Sequence, residues 1–170
     1  MPKYVKTDKY FTLKTKHGQT VIELFARKAP NHVKRIQELI EAGYYNDLKF
    51  HRVIDGFMAQ TGCSRGDGTG GSSKPDLKAE FNDIKHKTGI VSMARKQDPN
   101  SANSQFFIML HDAPYLDGQY TVFGQVVHGM DCIHRIKKGD DGNNGVVVNP
   151  DVIIEMHLGI PEDVAEKYTL

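Results

Sequence analysis

The chain has 170 residues, 39% of them hydrophobic and 25% charged, which is typical of one globular domain with a substantial core. Its 22 basic and 21 acidic residues leave a net charge of +1, so the charge gives no reason to expect nucleic acid or an anionic membrane as a partner. The longest apolar run, residues 106–110, is too short to span a bilayer, and the polar N-terminal residues lack the apolar core of a signal peptide. The two cysteines are far apart in sequence, which makes a disulfide framework improbable and favours a cytoplasmic location.

The predicted elements are mostly short strands. Residues Tyr10–Leu24 form two alternating runs around a turn, which predicts a β-hairpin. Residues Ala29–Ala42 carry an apolar stripe at helical spacing between Pro30 and Gly43, which predicts a helix that covers a hydrophobic opening. A second helix is expected at Met130–Ile136. Further strands are expected at Phe50–Ile54, Phe57–Thr61, Ile90–Met93, Gln105–Leu110, Thr121–Val127 and Val152–Leu158. Many strands with two helices predict a mainly β fold, a closed or nearly closed antiparallel barrel.

The glycine-rich segment 62–78 is expected to be a long exposed loop. Gly66, Gly68 and Gly71 fit a G-x-G-x-x-G pattern, but Pro75 follows instead of a helix, so a turn-rich loop is favoured over a dinucleotide site. The eight histidines include no H-E-x-x-H pair and the cysteines form no C-x-x-C pair, so most histidines are interpreted as surface groups and no metal is expected. Without a G-x-S-x-G element, hydrolase chemistry is weakly supported.

Two apolar strands each carry one planar group with several hydrogen-bond donors. The run FHRVIDGFMAQ contains Arg52, and the run SQFFIML contains Gln105. A guanidinium is charged at any working pH and needs an acceptor, which a carboxylate at a barrel rim could also supply. Taken with Gln60 and the neighbouring Phe and Met residues, Arg52 instead indicates an apolar pocket that binds a carbonyl or amide.

Strand alternation predicts which side chains share a face. Arg52 is expected beside Phe50 and Ile54, with His51 facing away. On the other strand, one face carries Gln105, Phe107 and Met109 and the opposite face carries Phe106, Ile108 and Leu110. One face is expected to fill the barrel and the other to line a site.

The segments FHRVIDGFMAQTG, GDGTGG, VSMAR, NSQFFIML and YLDGQYTVFGQV, in this order, resemble the cyclophilin family of peptidyl-prolyl cis/trans isomerases. The resemblance covers about residues 10–158 of a single domain, 1–170, and leaves a short C-terminal extension without a role. It implies an eight-stranded antiparallel barrel with a helix at each end, and an isomerase that assists protein folding without a metal or cofactor. It also implies that Arg52 is catalytic. The implied substrate-binding residues are Phe57, Met58, Phe107 and Leu116 at the proline ring, with Gln60, Gln105, Ala94, Arg95, Tyr115 and Tyr120 around the peptide.

Three positions depart from many relatives, in a bacterial style. Tyr115 replaces a tryptophan, Tyr120 a histidine and Arg95 an asparagine. The expected partners are proline-containing peptides and unfolded protein clients, with cyclosporin-like cyclic peptides bound at reduced affinity by a monomer. Two alternatives stay open: a proline-peptide-binding module without turnover, and a small-molecule-binding barrel that the Gly-rich loop gates.

Overall fold

The structure, a computed structural model, describes residues 3–168. The strands are β1 Tyr4–Val5, β2 Tyr10–Thr15, β3 Gly18–Leu24, β4 Arg52–Ile54, β5 Met58–Thr61, β6 Ile90–Met93, β7 Phe106–Met109, β8 Val122–His128, β9 Glu155–Leu158 and β10 Ile160–Pro161. The helices are α1 Pro30–Glu41, α2 Met130–His134 and α3 Glu162–Ala165, with single 3-10 turns at Pro114–Leu116 and Asp141–Asn143. No helix in the described part of the chain is long and apolar enough to cross a membrane. The predicted hairpin, both predicted helices and each predicted strand are present, several with shorter bounds.

Eight strands form one antiparallel sheet in the order β4-β5-β7-β6-β8-β3-β2-β9. The edge strands β4 and β9 do not pair with each other. They are linked through the segments that precede them, where Lys49 and Val152 form an isolated bridge and Phe50 N–H donates to the Asp151 carbonyl at 2.9 Å. The sheet is therefore a half-barrel. The predicted class is confirmed, but a fully closed barrel overstates how its edges meet.

Helix α1 begins at Pro30, whose missing N–H is one of the donors that a helix start leaves unpaired anyway. Glu80 supplies the cap from a distant loop, because its carboxylate accepts from the backbone N–H groups of Asn31 (3.2 Å) and His32 (2.9 Å). The helix ends before Gly43, which adopts φ +71°. Its apolar stripe lies in the main core, as predicted: Val33, Ile36, Leu39 and Ile40.

The two faces of β7 contact different apolar clusters. Phe106, Ile108 and Leu110 pack in the main core, whereas Phe107 and Met109 pack in a second cluster with Met58, Ile90, Ala113 and Val122. The predicted division of this strand into two faces is confirmed. The second cluster extends through Phe57, Leu116 and Tyr120, which are partly exposed.

The C-terminal segment forms a small annex to the sheet, where the sequence indicated no structure. Strand β10 pairs with β1, and α3 follows it as a third helix that was not predicted. Ile160 and Val164 pack against Tyr10 and Val21, so the annex buries apolar side chains next to β2 and β3. This contact stabilises the segment that follows residue 158.

Candidate active site

An open cavity of about 620 Å³ lies where the second apolar cluster reaches the surface. Its floor is built from the paired strands β5 and β7, which bring Met58 and Phe107 into it. The predicted site residues that line it are Arg52, Phe57, Met58, Gln60, Ala94, Arg95, Phe107, Leu116 and Tyr120. A second cavity of about 270 Å³ adjoins it, and Gln105 lines that one together with Gln60 and Arg95. Predicted residues as far apart in sequence as Arg52 and Tyr120 thus surround one site.

Arg52 lies at the edge of the larger cavity with its guanidinium held on two sides. Its Nη1 donates to Gln60 Oε1 at 3.2 Å. Its Nε donates to the Asn144 carbonyl at 3.0 Å and its Nη2 to Asn144 Oδ1 at 3.1 Å. Burial lowers the pKa of Arg52 from its ordinary value, yet a guanidinium remains protonated at working pH. All three acceptors are uncharged, and within residues 3–168 no carboxylate forms a salt bridge with the guanidinium.

Gln60, which accepts a hydrogen bond from Arg52, belongs to a longer chain of hydrogen bonds. Gln60 Nε2 donates to Gln105 Oε1 at 3.0 Å, and Gln105 Nε2 donates to the carbonyls of Gly68 and Gly70, both at 2.9 Å. The Gly-rich loop therefore anchors the two glutamines that stand between the two cavities. No helix follows Gly66, Gly68 and Gly71 in residues 62–78 of the structure, which agrees with the preference for a turn-rich loop.

Two expectations about the start of β4 are wrong. Phe50 is fully buried in the main core, not beside Arg52, and His51 is among the residues that line the larger cavity. The reason is that the strand begins at Arg52, so strict alternation does not extend back to Phe50 and His51. Ile54, which is on the strand, packs against the second cluster.

Asn144 was missed by the sequence reasoning, although it makes two of the three hydrogen bonds of Arg52. Asn144 lies 92 residues after Arg52 in a polar loop, and its spacing from the predicted motifs follows no pattern that would indicate a functional site. The one available clue was the Asn144-Gly145 pair, which is typical of a tight turn. Val146 and Val147 of the same loop also line the cavity.

Comparison with known proteins identifies the family. Residues 10–158 match the model of the cyclophilin type peptidyl-prolyl cis-trans isomerase family. The chain belongs to this family. It is similar to a protein named for this activity from Brucella suis biovar 1, with 53% identity over 154 residues (84% of this chain and 79% of that protein). It is also similar to the peptidyl-prolyl cis-trans isomerase of Helicobacter pylori strain 26695, with 43% identity over 134 residues (77% and 82%).

Solved structures agree with this assignment. A cyclophilin-type isomerase of Cryptosporidium parvum, whose crystal structure was determined in the presence of the dipeptide Ala-Pro, has a TM-score of 0.81 at 28% identity and covers 89% of this chain and 99% of that chain. A cyclophilin of Hirschia baltica has a TM-score of 0.80 at 26% identity (92% and 76%). The chain is therefore a cyclophilin-type peptidyl-prolyl cis-trans isomerase.

Of Arg95, Tyr115 and Tyr120, the structure brings two into direct contact. The Arg95 guanidinium lies over the Tyr120 ring, 4.7 Å from its centroid, and donates to the Gln119 carbonyl. Tyr120 also meets the Phe107 ring edge to face, with centroids 5.5 Å apart. Tyr115 differs from the other predicted residues, because it is 70% exposed and lines neither cavity. Its ring lies at the rim, 6.1 Å from that of Phe57.

A buried histidine supports the apolar wall of the site from behind. The His86 ring stacks on Phe107 with centroids 6.2 Å apart, and its two nitrogens reach Asp117 (3.1 Å) and Ser92 (3.0 Å). Burial lowers the pKa of His86, although Asp117 opposes the shift. His86 thus joins β6 to the turn that carries Leu116. His32 and His51 are buried as well, so three of the eight histidines are exceptions to the interpretation of most histidines as surface groups.

Cys63 organises the Gly-rich loop next to the site. Its buried Sγ accepts from the backbone N–H groups of Gly68 (3.2 Å) and Gly70 (3.1 Å). Burial raises the pKa of the thiol, but the backbone N–H groups of Gly70, Asp67, Arg65 and Gly68 together outweigh it, and the pKa lies below its ordinary value. Neither Cys63 nor Cys132 is in a disulfide in the described chain. Between residues 3 and 168, His, Cys, Asp and Glu side chains nowhere gather as a group of three that could hold a metal ion.

Proposed function

We propose that Arg52 is the catalytic residue of this isomerase and that the apolar part of the cavity binds the proline ring. One observation carries the proposal: a charged guanidinium is fixed at the edge of an apolar cavity by uncharged acceptors. A guanidinium has five N–H donors, and three of them are engaged by these acceptors. The remaining donors are available to a bound peptide.

The reaction needs a donor that acts on the twisted bond more strongly than on the planar one. Rotation about an X-Pro bond breaks amide resonance, with a barrier near ~20 kcal/mol, and forms no covalent bond. In the twisted state the proline nitrogen regains a lone pair that can accept a hydrogen bond. Arg52 would donate to this nitrogen and so stabilise the transition state selectively. Because arginine does not deprotonate, the donor is present throughout the working pH range.

Arg52 alone would not account for the full effect. An acceleration of ~10⁵ requires about 7 kcal/mol, whereas one preorganised donor typically supplies about 3–4 kcal/mol. The remainder would come from positioning, with the proline ring held between Phe57, Met58, Phe107 and Leu116. Gln60, Gln105 and the backbone at Ala94 and Arg95 would hold the flanking peptide, which leaves one end of the bond free to turn.

The Ala-Pro dipeptide present with the Cryptosporidium relative supports short proline peptides as ligands of this cavity. We further propose that unfolded proteins are the clients, in keeping with an open cavity that an extended chain can enter. The two free thiols suit a reducing, cytoplasmic compartment. The monomeric state and the weak binding of cyclosporin-like peptides remain predictions.

A coupled-protease assay on an X-Pro peptide tests the proposal with wild type and Arg52→Ala. We expect the variant to lose most activity and to retain a melting temperature near that of the wild type, since Arg52 is half-buried at the edge of the site. Arg27→Ala is the matched control, because Arg27 is exposed and lines neither cavity. Full turnover of Arg52→Ala would contradict the catalytic assignment. Peptide binding without turnover in the wild type would favour the binding-module alternative.

A further inference from the structure

We propose that Asn144 is a positioning residue for catalysis, which fixes the Arg52 guanidinium in its working orientation. The proposal rests on the catalytic role of Arg52 given above and extends it to a loop that contributes no residue to the predicted site. Asn144 acts through Arg52 and is not itself required to contact the peptide.

Asn144 contacts Arg52 through both its backbone and its side chain. Asn144 offers its backbone carbonyl to Arg52 Nε and its side-chain Oδ1 to Arg52 Nη2, so the edge of the guanidinium formed by these two N–H groups faces one residue. Gln60 holds Nη1 from the other side. An arginine side chain has several rotatable bonds, and two anchors on opposite sides restrict them before substrate arrives.

The backbone of Asn144 makes this double contact possible. Asn144 has φ +56° and ψ 28°, a left-handed conformation that asparagine tolerates better than most residues. That conformation directs its carbonyl and its amide to the same partner. The next residue, Gly145, has φ +77°, and a Cβ there would collide with the Ile54 side chain. The chain can pass this close to β4 only with glycine at position 145.

The loop that carries Asn144 is held in place by hydrogen bonds to the edge of β4 that does not pair with another strand of the sheet. Val53 N–H donates to the Gly145 carbonyl at 2.9 Å, and Gly139 N–H donates to the Val53 carbonyl at 2.8 Å. Within the loop, the Asp140 carboxylate accepts from Gly142 N–H at 2.9 Å. Backbone bonds to a strand adjacent to the site therefore fix the position of Asn144, while the residue itself stays exposed. Such an arrangement suits a positioning role, since replacing the side chain leaves the loop anchored.

The test removes the side chain and keeps the backbone conformation. Asn144→Gly retains access to positive φ and loses only the Oδ1 acceptor. We expect kcat/KM for an X-Pro peptide to fall about tenfold, which corresponds to about 1.4 kcal/mol of transition-state stabilisation, with peptide affinity and melting temperature near those of the wild type. Asn149→Gly is the matched control, because Asn149 is an exposed asparagine with φ 52° in the same loop and lines neither cavity. It should behave as wild type.

A double-mutant cycle shows whether Asn144 acts through Arg52. In the Arg52→Ala background, Asn144→Gly should cause no further loss of kcat/KM. In wild type, the Arg52 side-chain ¹⁵N resonances should report slow rotation about the Nε–Cζ bond, and this rotation should become faster in Asn144→Gly.

Each other outcome overturns the proposal in a distinct way. Activity of Asn144→Gly within twofold of wild type, or an equal loss in both backgrounds, would overturn the positioning role while leaving Arg52 catalytic. Unchanged rotation of the Arg52 guanidinium in Asn144→Gly would do the same. Full activity of Arg52→Ala would instead overturn the catalytic assignment of Arg52, and with it the role of Asn144.

Discussion

Neighbouring phenylalanines on β7 allow a matched test of the site. Phe106 and Phe107 are consecutive and both buried, with 0% and 5% of their surfaces exposed, yet they face different apolar clusters. Truncation of either residue to alanine removes the same atoms. We expect both variants to lose stability, and only Phe107→Ala to lose peptide binding as well as turnover.

The magnitudes follow from the contacts of each ring. Truncation of a buried phenylalanine costs about 3–5 kcal/mol. Phe106 meets the rings of Tyr45 and Phe123 edge to face, with centroids 5.5 and 6.0 Å away, so Phe106→Ala should cost the upper part of that range. Phe107 borders the cavity, which already leaves part of its ring without packed neighbours, so Phe107→Ala should cost the lower part. For a chain of this size each kcal/mol lowers Tm by about 2–4 °C.

Urea unfolding gives the stability of each variant, and titration with an X-Pro peptide followed by NMR gives its affinity. Turnover is measured on the folded fraction alone, so that partial unfolding of Phe106→Ala is not mistaken for an active-site effect. Weakened peptide binding by Phe106→Ala with unchanged binding by Phe107→Ala would show that the two faces of β7 are reversed in this account. The assignment of the cavity to the proline ring would then fail.

Three further predictions concern residues around the cavity. Tyr115→Trp should bind cyclosporin A about one to two decades more tightly than wild type in calorimetric titration, because the indole N–H supplies a donor that the shorter Tyr115 side chain misses; equal affinities would contradict this. Burial lowers the pKa of His86 from 6.5, so the unfolded chain binds a proton that the folded chain does not, and unfolding free energy should fall as pH drops below about 6.5. His86→Gln should show a shallower fall in urea unfolding between pH 8 and 5.5, and an identical slope would exclude His86. Cys63→Ala should lower the free energy of unfolding by about 1–3 kcal/mol in the same assay, because the N–H groups of Gly68 and Gly70 lose their acceptor. Cys63→Ser should retain most of the wild-type stability, because its hydroxyl can accept from the same N–H groups.

Local periodicity was sufficient to predict most of the fold. The apolar stripe of α1 and the alternation along β7 each depend on residues within one element, so the sequence pattern carries them directly. The bounds of β4 were predicted less well, because Phe50 and His51 precede the strand and follow the path of the chain towards Val152 instead of the pleat. A pairing between distant segments decides their orientation, and no local pattern encodes it.

The site, like the fold, has features that could be predicted from the sequence and features that could not. Most of the predicted residues line one cavity, and they could be predicted because the chain resembles a known family. Without that resemblance, the residues indicated only that a polar group lies in an apolar strand. The capping of α1 by Glu80 and the clamp on Arg52 by Asn144 were not predicted, since each joins residues 48 or more positions apart through a single side chain. Side-chain contacts of this kind have no periodicity that a sequence pattern could reveal.

The open edge of the sheet and the orientation of Arg52 are connected. In a fully closed barrel, the outer edge of β4 would pair with a regular strand. The side chains of such a strand point alternately to the two faces of the sheet and not towards β4. Here β4 and β9 do not pair, and Val53 bonds instead with Gly139 and Gly145 of an irregular loop. This loop places Asn144 in a left-handed conformation, and both of its acceptors bond to Arg52. The incomplete closure of the half-barrel therefore provides the edge on which Arg52, the arginine proposed to be catalytic, is oriented.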